Sequence, residues 1–69
     1  MTRRERMIVA VAAVGGAESW VRNEDAASAA NMDGSESDAI LRALVAAGEL
    51  EARSGRVKLA TLPQGLVPS

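Results

Sequence analysis

Glu36-Ser37-Asp38-Ala39-Ile40-Leu41-Arg42-Ala43-Leu44-Val45-Ala46-Ala47-Gly48-Glu49-Leu50-Glu51-Ala52-Arg53-Ser54-Gly55-Arg56-Val57-Lys58-Leu59-Ala60 changes its hydrophobic period once, and that change decides the fold. From Glu36 to Ala47, the residues Ile40, Leu41, Leu44 and Ala47 recur at the spacing that puts them on one helical face, and Gly48 stops the helix. From Glu49 to Arg53 and from Arg56 to Ala60, polar and apolar residues alternate around Ser54-Gly55, as in two strands joined by a tight turn. If Arg53 faces Arg56, then Ala52 faces Val57, Glu51 faces Lys58 and Leu50 faces Leu59. This register gathers the apolar pairs on one face and gives Glu51 and Lys58 a cross-strand charge pair.

Upstream of this stretch, Met32-Asp33-Gly34-Ser35 reads as a tight connection, with Gly34 supplying a turn conformation and Asp33 or Ser35 capping the helix that follows. Before it, Asn23 is a good cap for a helix to about Asn31, with Glu24 and Asp25 in its first turn and a smooth face of Ala26, Ala27, Ala29 and Ala30. Ser19-Trp20-Val21 is a short extended piece. Thr2 and Glu5 fit a capping box for a first helix from about Arg3 to Val14, ended by Gly15-Gly16. Met7, Ile8, Val11 and Val14 form its apolar stripe. Val9, Ala10 and Ala13 lie on the opposite side, so this helix is either buried on two sides or has a partner.

With 69 residues there is room for one domain, and a chain of this size buries only about 60% of its unfolded surface. Phe and Tyr are absent and Trp20 is the only aromatic, so the core is built from Ile, Leu, Val, Met and Ala. Trp20, with no second aromatic beside it, reads as a lid over the hairpin. The absence of Cys and His removes disulfides, the usual nucleophile and base pairs, and nearly all tetrahedral zinc sites. With no convincing carboxylate pair either, the expectation is a protein that is not an enzyme, has no cofactor and no metal, and resides in the cytoplasm. Asp33, Ser35 and Ser37 mimic the opening of a calcium loop, but Gly is missing from the sixth position and Leu44 stands where the bidentate acid belongs.

The net charge is −1, yet it is unevenly placed. Residues 15–52 hold Arg22 and Arg42 against eight acids, whereas Arg3, Arg4 and Arg6 crowd one end and Arg53, Arg56 and Lys58 the other. Such polarity directs an anionic partner to the ends. The apolar run from Met7 to Ala17 behind Arg3-Arg4-Glu5-Arg6 has the outline of a secretory signal. It is too short for a membrane span, and removing it would leave too few large apolar residues for a core, so it is expected to belong to the fold.

From Asn23 to Leu59 the chain resembles the winged helix-turn-helix superfamily. The residues that carry the resemblance are Ala26-Ala27 and Ala30, the Met32-Asp33-Gly34 turn, Ile40-Leu41 and Leu44, and Gly48-Glu49-Leu50 leading to Ser54-Gly55-Arg56-Val57-Lys58-Leu59. The implied fold is α+β: a three-helix winged helix-turn-helix with a two-stranded β-hairpin wing over residues 1–61, followed by an irregular tail at 62–69. In such a fold the free face of the third helix meets a major groove and the wing lies along phosphates or in the minor groove. Here that face holds Ser35, Ala39, Arg42, Ala43 and Ala46, flanked by Glu36 and Asp38. Only Arg42 offers a bidentate guanine contact, and Ser35 a contact to a phosphate or base edge.

The leading expectation is therefore a small module for double-stranded DNA, of the kind found in transcription or replication regulators. It would use Arg53, Arg56 and Lys58 of the wing, Arg3 and Arg4 of the N-terminal arm, and Ser35 and Arg42. The alternative is a docking module that touches no DNA, in which Val9, Ala10 and Ala13 meet a protein partner or a second copy in a homodimer.

Overall fold

Thr2 starts the first helix by a reciprocal exchange: its hydroxyl accepts from the Glu5 amide at 3.1 Å, and the Glu5 carboxylate accepts from the Thr2 amide at 2.8 Å. A computed structural model describes residues 1–60 of the chain. In order, it contains α1 (Arg3–Ala13), β1 (Val21–Arg22), α2 (Asn23–Ala30), α3 (Gly34–Ala46), β2 (Leu50–Arg53) and β3 (Arg56–Leu59). The class is α+β: three helices and a three-stranded antiparallel sheet of order β1-β3-β2. The expected tail at 62–69 lies outside the described residues.

All three helices end in the same way. The residue after the last turn takes a left-handed or glycine-type positive φ, Gly15 at 96°, Asn31 at 60° and Gly48 at 82°, and two amides fold back onto the last free carbonyls. At α3 these are the Gly48 amide on Val45 (3.0 Å) and the Glu49 amide on Leu44 (2.9 Å). At α2 they are Asn31 on Ser28 (3.1 Å) and Met32 on Ala27 (2.9 Å). At α1 they are Gly15 on Ala12 (3.1 Å) and Gly16 on Val11 (2.7 Å). Gly16 is held so tightly that an added Cβ would stand 2.6 Å from the Val11 carbonyl oxygen.

Two expectations about helix starts are corrected. Arg22, without a side-chain cap bond, precedes α2, and Asn23 is its first helical residue. The Asn23 amide is spoken for from outside, donating to the Gly55 carbonyl at 3.0 Å, so the hairpin turn meets the start of α2. Gly34 makes no turn by positive φ; it opens α3, Asp33 is the cap, with Oδ1 accepting from the Glu36 amide at 2.8 Å, and the left-handed residue of the connection is Asn31.

The hairpin has the register read from its alternation: Leu50↔Leu59, Glu51↔Lys58, Ala52↔Val57 and Arg53↔Arg56. Ser54 (φ 48°) and Gly55 (φ 78°) both take positive φ, the requirement of a two-residue turn whose twist matches the strands. The two-stranded wing is corrected to a three-stranded sheet, because Val21 and Arg22 pair with Val57 and Arg56 on the other edge of β3. The Leu59 amide also donates to the Gly16 carbonyl at 2.9 Å, which fastens the turn after α1 to the same strand.

The core lies between the helices and one face of the sheet. Met7, Val11, Leu44 and Val57 are its largest fully buried side chains, joined by Val21, Ala26, Ala30, Met32, Leu41 and Leu50. Small alanines at Ala26, Ala27 and Ala30 let α2 settle closely against α1 and α3. Ala10 is 4% exposed, which overturns its expected place on the spare side of α1. It stands three residues from Met7 and one from Val11 and so shares their inward face. Val14, read as part of the buried stripe, follows the last helical residue and is 43% exposed.

Candidate nucleic-acid interface

The sheet has two chemically opposite faces. Val21, Val57, Leu50 and Leu59 point to the helices, and period-two alternation sends their neighbours outward. Arg22 is paired with Arg56 and Arg56 with Arg53, so one rung across all three strands is made entirely of arginine. Residues directly opposite on neighbouring strands have Cβ atoms only about 5 Å apart, and like charges so placed repel. The next rung brings Lys58 opposite Glu51, with Trp20 just before β1.

Trp20 is half-buried and stands outside the core. The Arg53 guanidinium carbon lies 5.2 Å from the centre of its ring and the Lys58 ammonium 5.4 Å. Each contact is worth about 0.5–1 kcal/mol at an exposed site. The expected lid over the hairpin is therefore found on the sheet's outer face, where it steadies two cations. Trp20, Arg53, Ser54 and Arg56 line a cleft of about 360 Å³. A second cleft, of about 480 Å³, shares Ser54 and Arg56 and is completed by Arg22, Asn23, Glu24 and Gly55. Glu24 puts an acid in the second cleft; among the described residues, none lines the Trp20 cleft.

The structure thus brings Arg53, Arg56 and Lys58 together, and adds two residues that the sequence reading missed, Arg22 and Trp20. The signal for both was present in the extended piece before α2. Positions 20 and 22 have the same parity, so once that piece pairs as a strand they share a face.

The remaining candidates stand elsewhere. Ser35 and Arg42 are exposed on α3, but Arg42 Nε is bound to Asp38 Oδ2 at 3.1 Å, one helical turn away. Arg3 Nε is bound to Glu36 Oε2 at 3.0 Å, which ties the start of α1 to the start of α3. Arg4 is exposed in the first turn of α1. On the same helix Val9, at 55% exposure, and Ala13 face outward, while Ala10 does not. Among the described residues, no helix is long and apolar enough to cross a membrane. Comparison of the chain with protein-family models, with curated proteins and with solved structures gives no match.

Proposed function

We propose that the chain is a winged-helix module that holds double-stranded DNA by its phosphates, as part of a transcription or replication regulator, with the sheet rather than α3 as its principal contact surface. The observation that carries this reading is the arginine rung Arg22–Arg56–Arg53. Three like charges in register cost stability, and an anionic polymer laid across them removes that cost. Lys58 extends the rung along β3. The open face of α3 contributes little sequence readout, because Ala39, Ala43 and Ala46 carry no hydrogen-bonding group and Arg42 is engaged by Asp38.

The test is titration of a labelled mixed-sequence duplex by fluorescence anisotropy at several salt concentrations. If Arg22, Arg53, Arg56 and Lys58 each neutralise one phosphate, log K falls with log salt at a slope of about −3.6, a loss of about a hundredfold between 50 and 200 mM. Alanine at any one of the four flattens the slope by about 0.9. No binding at 50 mM salt, or binding indifferent to these substitutions, overturns the reading.

A second reading rests on the outward side of α1, where Val9 is 55% exposed and Ala13, one turn further along, is exposed beside it. In it, two copies dimerise through α1. Sedimentation over a wide concentration range distinguishes the two: a dimer abolished by Val9→Glu supports this second surface, and a monomer at every concentration removes it.

A further inference from the structure

We infer that the cleft beside Trp20 takes one unpaired nucleotide, with its base on the indole and its phosphate between Arg53 and Arg56, so that the sheet face prefers DNA with a single-stranded overhang to a blunt duplex. The inference rests on the sheet face being a nucleic-acid surface, and it adds what kind of nucleic acid that surface selects.

The lining carries the argument. Its chemistry, rather than its size, sets the cleft apart: the described residues around it are an aromatic, two guanidinium groups and a hydroxyl. These are the groups that a nucleotide needs: a π surface for the base, donors for the phosphate and a polar edge. Among the described residues, no carboxylate lines it to repel the phosphate. The sheet fixes the backbone from which these groups extend, since Arg53 and Arg56 are a cross-strand pair and Ser54 is held at positive φ in the turn between them. A base inside an intact duplex is already stacked on both sides and cannot reach the indole, whereas an unpaired base can. Arg53 and Lys58 lie over the indole at 5.2 and 5.4 Å, so the base takes their place on the ring as they turn to its phosphate, each exchange giving up a contact of only about 0.5–1 kcal/mol.

Trp20 is the only Trp and the chain has no Tyr, so intrinsic emission reports on this cleft alone. The experiment compares a blunt duplex, the same duplex with a five-nucleotide dT overhang, and a dT oligomer, by anisotropy and by Trp emission. The overhang is expected to bind about fivefold to a hundredfold tighter than the blunt end, with quenching of Trp20 by the overhang and the dT oligomer but not by the blunt duplex. Trp20→Ala brings the ratio of overhang to blunt-duplex affinity to about one, and Trp20→Phe restores part of it. Circular dichroism checks that both variants remain folded. Equal affinity for the blunt and overhang duplexes, or unchanged Trp emission, overturns the inference and leaves phosphate binding by the rung standing. No binding of any of the three DNAs removes both.

Discussion

Arg42 is drawn back along its own helix to Asp38, Nε to Oδ2 at 3.1 Å, on the very face of α3 that the fold leaves open. Both side chains are well exposed, so the pair adds little to stability, but it occupies the one long donor on that face. Asp38→Ala is therefore expected to change unfolding free energy by no more than about 0.5 kcal/mol. The same change raises duplex affinity roughly threefold at low salt, through one fewer acid and one released guanidinium. Chemical denaturation and DNA titration on one preparation check both halves; unchanged affinity would show that α3 stays away from the duplex.

The arginine rung sets stability against binding. Replacing the central residue, Arg56→Gln, relieves repulsion on both sides at once and is expected to stabilise the domain by a few tenths of a kcal/mol, roughly 1–4 °C in Tm. The gain shrinks in about 0.5 M salt, where exposed charges are screened. DNA binding weakens in the same variant. Thermal melts at two salt concentrations decide the point, and a loss of stability at low salt would contradict it.

Two glycines are expected to respond to alanine in opposite directions. Gly16→Ala drives a methyl into Val11 and its carbonyl, where the backbone is also pinned by Leu59, and costs roughly 2 kcal/mol or more. Gly34→Ala meets nothing within 4 Å and sits in the first turn of α3, so it stabilises by about 0.5 kcal/mol by restricting the unfolded chain. Urea unfolding of the two variants side by side tests the pair.

Asn31 closes α2 at φ 60°, in the position that Gly15 and Gly48 occupy after the other two helices. Asn31→Gly is expected to hold or raise stability by up to about 1 kcal/mol, and Asn31→Ala to lower it by about 1 kcal/mol, because a Cβ without a local hydrogen bond is disfavoured there. At the other end of the same connection, Asp33→Ala removes the cap of α3 and costs about 1 kcal/mol. Tm shifts of several degrees in the stated directions are the readout.

How much of this was legible in the sequence varies from element to element. The hairpin was legible to the residue, because a two-residue turn admits one register and alternation fixes the face. Thr2–Glu5 was legible because a capping box is a local contract between residues three apart. β1 was legible as a short extended piece but not as a strand of the sheet: two residues have no period, and the partner lies 36 positions away, at Val57 for Val21. The arginine rung, which depends on that pairing, was hidden with it. Ala10 was misplaced because alanine fits either side of a helix, and only the close approach of a neighbouring helix decides which side it takes. The ion pairs of Arg3 and Arg42 were hidden in another sense: Glu36 and Asp38 were visible beside the open face of α3, but not which guanidinium would answer them.

β3 is late in sequence and central in the sheet. Its edges receive β1 and β2, the turn before it accepts the amide of Asn23, and its Leu59 reaches the loop after α1. The consequence is one of timing. During synthesis the helices can form and pack against one another as they emerge, but β1, β2 and the core beneath the sheet stay uncovered until the ribosome has released residue 59. A nascent chain stopped at Gly55 is thus expected to remain open to proteases, and one extended past Leu59 to snap shut.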